Sequence, residues 1–139
     1  MNIKEAVENG ILKKEFKDLE KSKVSLEIAE NNLREAESLY NFDKYRPSII
    51  FSYTAMFHAG RSLLFKEGYR EKWHIGIIVF LEETYSGKIG KRLIQELDRL
   101  RRERHDILYS LKKEDINGED AKHALSIAKE FIEKIKELL

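Results

Sequence analysis

One proline and seven glycines are all that punctuate these 139 residues, and this scarcity of helix breakers constrains the fold more than any other feature. Long helices are expected, and the hydrophobic spacing says where. Residues 17 to 41 carry Leu19, Leu26, Leu33 and Tyr40 at intervals of seven, with Ser22, Ala29 and Ala36 between them. That pattern is a long amphipathic helix whose small side chains admit a close neighbour. Asn41 to Arg46 reads as a loop, and Pro47 suits the first turn of the next helix. Residues 47 to 67 are apolar almost all round, which marks a central buried helix that Gly68 can end.

Tyr69 to Trp73 reads as a charged, aromatic connection. The β-branched run from His74 to Leu81 reads as a short helix, because a single strand would have no partner. Ser86 to Gly90 reads as a loop. Residues 90 to 112 form a basic helix whose core stripe is Leu93, Leu97, Leu100, Leu108 and Leu111, with Arg104 interrupting it. Residues 119 to 139 form the last helix, with Ala121, Ala124, Leu125, Ala128, Phe131, Ile132, Ile135, Leu138 and Leu139 inward. Residues 3 to 9 form a short helix ended by Gly10. The expected fold is all-α: an antiparallel up-and-down bundle of four long helices plus one or two short ones, in a single domain over residues 1 to 139.

Charged residues are 37% of the chain, yet the net charge is only +1, so any nucleic-acid binding must come from a local patch. Residues 91 to 113 supply one: eight Lys/Arg, among them Arg99, Arg101, Arg102, Arg104, Lys112 and Lys113, against the four acids Glu96, Asp98, Glu103 and Asp106. The chain has no cysteine, so thiolate metal sites and cysteine nucleophiles are excluded, and a reducing cytoplasmic setting fits. The start, Met1 to Glu5, has no apolar signal region, and the apolar run from Ile49 to Phe65 holds His58 and Arg61, so no membrane role is expected. The four histidines are scattered, without His-x-x-x-His or His-Glu-x-x-His spacing. No phosphate-binding glycine loop and no nucleophile elbow occurs. Neither a metal nor a cofactor is expected.

The basic helix carries the chemistry. At about 100° per residue, Arg101 lies about 40° and Arg102 about 60° from His105, while Arg99 sits roughly 120° away. Tyr109 and Asp98 return to the His105 face. A cation stabilises phosphate charge and an imidazole titrates near neutral pH, which suits phosphodiester chemistry or anion binding. A solvated, salt-bridged helix face would look the same. Tyr53 and His58 stand out on the apolar central helix, where such groups are commonly satisfied core residues.

Four segments resemble one family. Tyr53-Thr54-Ala55-Met56-Phe57-His58-Ala59 resembles the central-helix signature of HEPN domains (higher eukaryotes and prokaryotes nucleotide-binding). His74-Ile75-Gly76 resembles the His-x-Gly that opens that family's next helix, Arg99 to Asp106 its late-helix arginine motif, and Ala124 to Ile132 its Ala-rich final helix. The likeness runs from about residue 17 to 139, in order. It implies a helical bundle that dimerises and is often encoded beside a minimal nucleotidyltransferase, many members being toxins of toxin–antitoxin pairs. Active members resemble metal-independent RNases with Arg-x(4–6)-His, a spacing that Arg99 and His105 fit. The stricter pattern has asparagine and tyrosine where this chain has Leu100 and Ile107, and Tyr109 is the nearest tyrosine. A second branch reads Arg-x-x-Ala-Asp-Tyr, onto which Arg102 to Ile107 can also be laid. Arg99 and His105 are therefore the catalytic candidates, and Arg101, Arg102, Tyr109, Tyr53 and His58 the substrate-binding ones. Three readings stand: a ribonuclease or RNA-binding component of a toxin–antitoxin type system, a non-catalytic nucleotide- or protein-binding partner of a nucleotidyltransferase, and a plain helical dimerisation module.

Overall fold

The computed structural model describes residues 1–110 and 115–139. Its elements in chain order are α1 (Ile3–Glu8), β1 (Leu12–Lys14), α2 (Leu19–Asn41), α3 (Tyr45–Glu67), β2 (Tyr69–Glu71), α4 (Ile75–Ile89), α5 (Lys91–Tyr109) and α6 (Gly118–Leu138). The helix starts are written locally. Asp18 accepts a hydrogen bond from the Lys21 backbone N–H at 2.9 Å, and Asn117 and Asp120 form a reciprocal capping box at the start of α6. Gly68 ends α3 with φ at 87°, a left-handed backbone that favours glycine.

Helix α3 is the axis of the fold and lies against α2, α4, α5 and α6. Its seam with α2 is made of small residues: Ser22, Ser25, Ala29 and Ala36 are all buried. Three serine hydroxyls stitch it by donating to backbone carbonyls, Ser22 to Ser62, Ser25 to His58 and Ser48 to Ala36, at 2.7, 2.7 and 2.8 Å. One residue number rises as its partner's falls, so α2 and α3 run antiparallel. The pairs Glu96 with His123 and Arg92 with Glu130 show the same reversal between α5 and α6. By contrast Tyr45 meets Gly118 and Lys66 meets Leu138, so α3 and α6 run parallel. The four long helices therefore alternate down, up, down, up, as the spacing predicts.

Several local expectations change. The leucines of α2 flank the seam instead of forming it: Leu19 is exposed, and Leu26 and Leu33 are half-buried. The loop before α3 shrinks to Phe42–Lys44. Residues 86–89 are helix, not loop, because burial of Tyr85 and Ile89 outweighs the weak propensity of Gly87, and only Gly90 breaks the run. Leu108 and Leu139 are exposed instead of inward, and Leu111, Lys112 and Lys113 lie outside the described residues.

The connection before α4 is also not plain coil. Its first residues form β2, which pairs antiparallel with β1 in the register Leu12–Glu71, Lys13–Arg70 and Lys14–Tyr69. Three-residue strands are too short to leave a period in the sequence. The pairing lays the N-terminal arm across the start of α4. Leu12 is buried there, and a Cβ at Gly76 would stand 3.0 Å from the Ile11 carbonyl oxygen. Close backbone approach, not a turn, is what requires glycine at position 76.

Candidate functional site

The arm, the start of α4 and the second half of α5 enclose an open groove of about 690 Å³. Its walls are Ile11, Trp73, His74, Ile75, Arg101, Arg104, His105 and Tyr109. The spacing along α5 puts Arg101, His105 and Tyr109 on one stripe, and the fold turns that stripe towards α4. The His105 and Tyr109 rings lie 5.0 Å apart. Trp73 presents an indole that is 67% exposed, an uncovered apolar ring at the groove edge.

Arg104 explains the interruption of the leucine stripe. It points inward, and its guanidinium lies 5.9 Å from the centre of the buried Tyr53 ring, a cation–π distance. Among the described residues it has no ion-pair partner. Arg101 is bound to Asp98 at 2.9 Å while still lining the groove.

His74 occupies the cap position of α4, but its side chain makes no cap hydrogen bond. The ring turns to α3 instead. Its Nδ1 is 2.8 Å from the Tyr53 hydroxyl, and its face stacks on Phe57 with centroids 4.2 Å apart. Burial, with Arg104, Arg101 and Arg61 adding to it, lowers the His74 pKa below the ordinary imidazole value and so favours the neutral ring. Burial raises the Tyr53 hydroxyl well above its ordinary value, although Arg104 and Arg101 pull the other way. Both shifts favour the neutral form, a phenol in contact with an imidazole.

The other candidates sit elsewhere. Arg99 and Arg102 line a separate depression with Glu103, Asp106, Asp115, Ile116 and Asp120, an acid-rich lining ill suited to phosphate. Arg99 is gripped by Glu96 at 2.9 Å and Glu103 at 2.7 Å. Burial pulls its guanidinium down, and the two carboxylates outweigh that, holding it above its ordinary value. Arg102 does not line the groove, and its Nε lies 3.5 Å from the Asp98 carbonyl. His58 faces the opposite side of α3, beside Arg61, Phe65, Lys21 and Arg70. Burial first, then Arg61 and His74, push its pKa down to about 4, and among the described residues its buried Nδ1 has no hydrogen-bond partner.

Of the seven candidates, then, Arg101, His105 and Tyr109 share one groove, Tyr53 supports it from beneath, and Arg99, Arg102 and His58 do not join it. Trp73, His74 and Arg104 complete the groove without having been candidates. An arginine inside a leucine stripe was the available signal for Arg104, and the His-x-Gly likeness for His74. Among the described residues no group of three or more His, Asp or Glu side chains is placed to hold a metal ion, and no helix is long and apolar enough to cross a membrane.

Comparison with known proteins sets this geometry in context. A family model described as HEPN domain matches residues 22–138. A protein of Methanocaldococcus jannaschii named "Putative toxin MJ0605" is 31% identical over 119 residues, which cover 82% of this chain and 85% of that one. The crystal structure of TT1696 from Thermus thermophilus superposes with a TM-score of 0.70 at 18% identity, over 85% of this chain and 98% of that chain. At that identity the likeness is one of fold.

Proposed function

The chain belongs to the HEPN domain family, and from that premise we propose that it is the RNA-directed component of a toxin–antitoxin type pair, holding a phosphodiester in the groove between α4 and α5. One observation carries this reading. Two guanidiniums, two imidazoles and two exposed aromatic rings converge there: Arg101 and Arg104, His74 and His105, Trp73 and Tyr109. Cations hold phosphate, rings stack on unpaired bases, and an imidazole moves a proton at neutral pH. In metal-independent cleavage the ribose 2′-hydroxyl attacks phosphorus, with His105 relaying a proton and Arg101 and Arg104 stabilising the phosphorane.

The site is proposed to work as a homodimer, with two grooves facing across a two-fold axis and the exposed Leu108 and Tyr109 of α5 near the seam. Light scattering at micromolar concentration is expected to give twice the monomer mass. A monomer would remove the shared-site arrangement.

RNA binding itself has a direct test. The affinity for a single-stranded oligonucleotide should fall as salt rises, with a slope of roughly 0.7 per phosphate contact. The double variant Arg101→Ala/Arg104→Ala should bind more weakly and with a shallower slope. An unchanged slope would place the RNA elsewhere.

A second reading is favoured by the locking of Arg99 between Glu96 and Glu103. With the family-spaced arginine tied off, the same groove would serve a non-catalytic partner that binds nucleotide or a nucleotidyltransferase. Wild-type protein that binds RNA or nucleotide without cleaving RNA would support it.

A further inference from the structure

Transfer of a phosphodiester from the 5′-oxygen to the 2′-oxygen needs two proton movements. One proton leaves the attacking hydroxyl and another reaches the departing oxygen. Within one protomer the helical arginine–histidine motif offers a single imidazole for both. The groove holds two, because the N-terminal turn of α4 brings His74 to face α5.

We propose that His74 is the general base of this groove, oriented by Tyr53, and that His105 is its general acid. The inference rests on the RNA-cleaving reading above. In the step, the O2′–P bond forms and the P–O5′ bond breaks. The 2′-hydroxyl proton passes to His74, and the His105 proton passes to O5′. The products are a 2′,3′-cyclic phosphate and a 5′-hydroxyl, with no other reactant consumed. Proton exchange with solvent resets both rings.

The geometry fits that division. The Tyr53 hydroxyl occupies Nδ1 of His74 at 2.8 Å, which leaves Nε2 as the nitrogen available to substrate. The base role requires the tautomer in which Nδ1–H donates to the phenol oxygen, because Nε2 then carries the lone pair that a base needs. Stacking on Phe57 and contact with the buried phenol fix the ring plane, so the base is positioned before substrate arrives. The charged and titratable groups around it are Tyr53, His58 and Arg61 from α3, and Arg101, Arg104, His105 and Tyr109 from α5. Burial first, then three guanidiniums, lower the His74 pKa and so favour the unprotonated ring that a base requires. His105, exposed on the far wall, is the group left to donate.

The test is the pH dependence of single-turnover RNA cleavage in EDTA, followed for wild type, His74→Gln and Tyr53→Phe. Wild type should give a bell whose acid limb reports protonation of His74. His74→Gln should lose about 10²–10⁴-fold in rate and lose the acid limb, while binding a 2′-O-methyl RNA, which cannot be cleaved, as tightly as wild type. Tyr53→Phe keeps the ring packing, so it should stay folded and displace the acid limb without abolishing cleavage. A His74→Gln profile with the wild-type shape, merely scaled down, would overturn the proposal and leave the nuclease reading intact. Loss of 2′-O-methyl RNA binding in that variant would overturn it in favour of a binding role. No cleavage by wild type at any pH would remove the nuclease reading itself, and this proposal with it.

Discussion

His105→Ala is expected to lower EDTA-resistant RNA cleavage by about 10²–10⁴-fold, the usual contribution of one positioned proton-transfer group. The fold should not notice. His105 is exposed, and among the described residues its ring contact is with Tyr109, also exposed. Circular dichroism, thermal midpoint and mass by light scattering should therefore match wild type, and any RNA affinity should change little because Arg101 and Arg104 remain. Arg99→Ala makes a sharp contrast. Arg99 is held away from the groove by Glu96 and Glu103, so within one protomer its loss costs only exposed ion pairs, worth about 0–1 kcal/mol. Mixed dimers carrying one lesion per chain would show whether a partner's Arg99 reaches the groove. Undiminished cleavage by His105→Ala would sink the enzyme reading.

The second large effect concerns stability. Phe80→Ala is expected to cost about 3–5 kcal/mol, measured as a fall in the denaturant midpoint with the slope unchanged. Phe80 is 1% exposed. Its ring meets Tyr69 of β2 at 5.4 Å and Tyr85 of α4 at 6.0 Å between centroids. Removing it opens a cavity where α4 meets the two-stranded clasp, and native domains hold only about 5–15 kcal/mol in reserve. The same lesion loosens the start of α4, which carries His74. RNA cleavage should therefore fall at temperatures where the variant is still mostly folded. A loss below about 1 kcal/mol would mean that neighbouring side chains collapse into the space.

The sequence made the bundle legible because its signals are periodic. The apolar girth of α3, the alanine ladder of α6 and the leucine spacing of α5 each extend over several turns, and long periodic segments are what such reading captures best. The misses are short or non-local. The strands Leu12–Lys14 and Tyr69–Glu71 span three residues each and stabilise one another across the chain. Gly87 remains helical because Tyr85 and Ile89 are buried, which no local preference reveals.

The groove was legible in half. The α5 stripe of Arg101, His105 and Tyr109 follows from helix geometry, and the same geometry already turned Arg99 away. Arg102 defied the helical wheel: it lines the depression with Asp115 and Asp120, a placement that helix geometry alone does not reveal. The opposite wall was hidden. Trp73 and His74 reach α5 only through the packing of α4, and Ile11 only through strand pairing.

The three origins of that wall bear on when the site exists as the chain folds. The α2–α3 hairpin has a three-residue connection and forms from near neighbours. The groove must wait for the arm, the start of α4 and the end of α5 to meet, and such distant closures are paid for in chain entropy before any contact rewards them. In a growing chain the helical pair can collapse early, while the groove is absent until α5 has been made and docked. The same logic runs backwards under stress. Detachment of the three-residue clasp would take Ile11 from the wall while the bundle's axis stays packed, so the groove would disarm before the fold is lost.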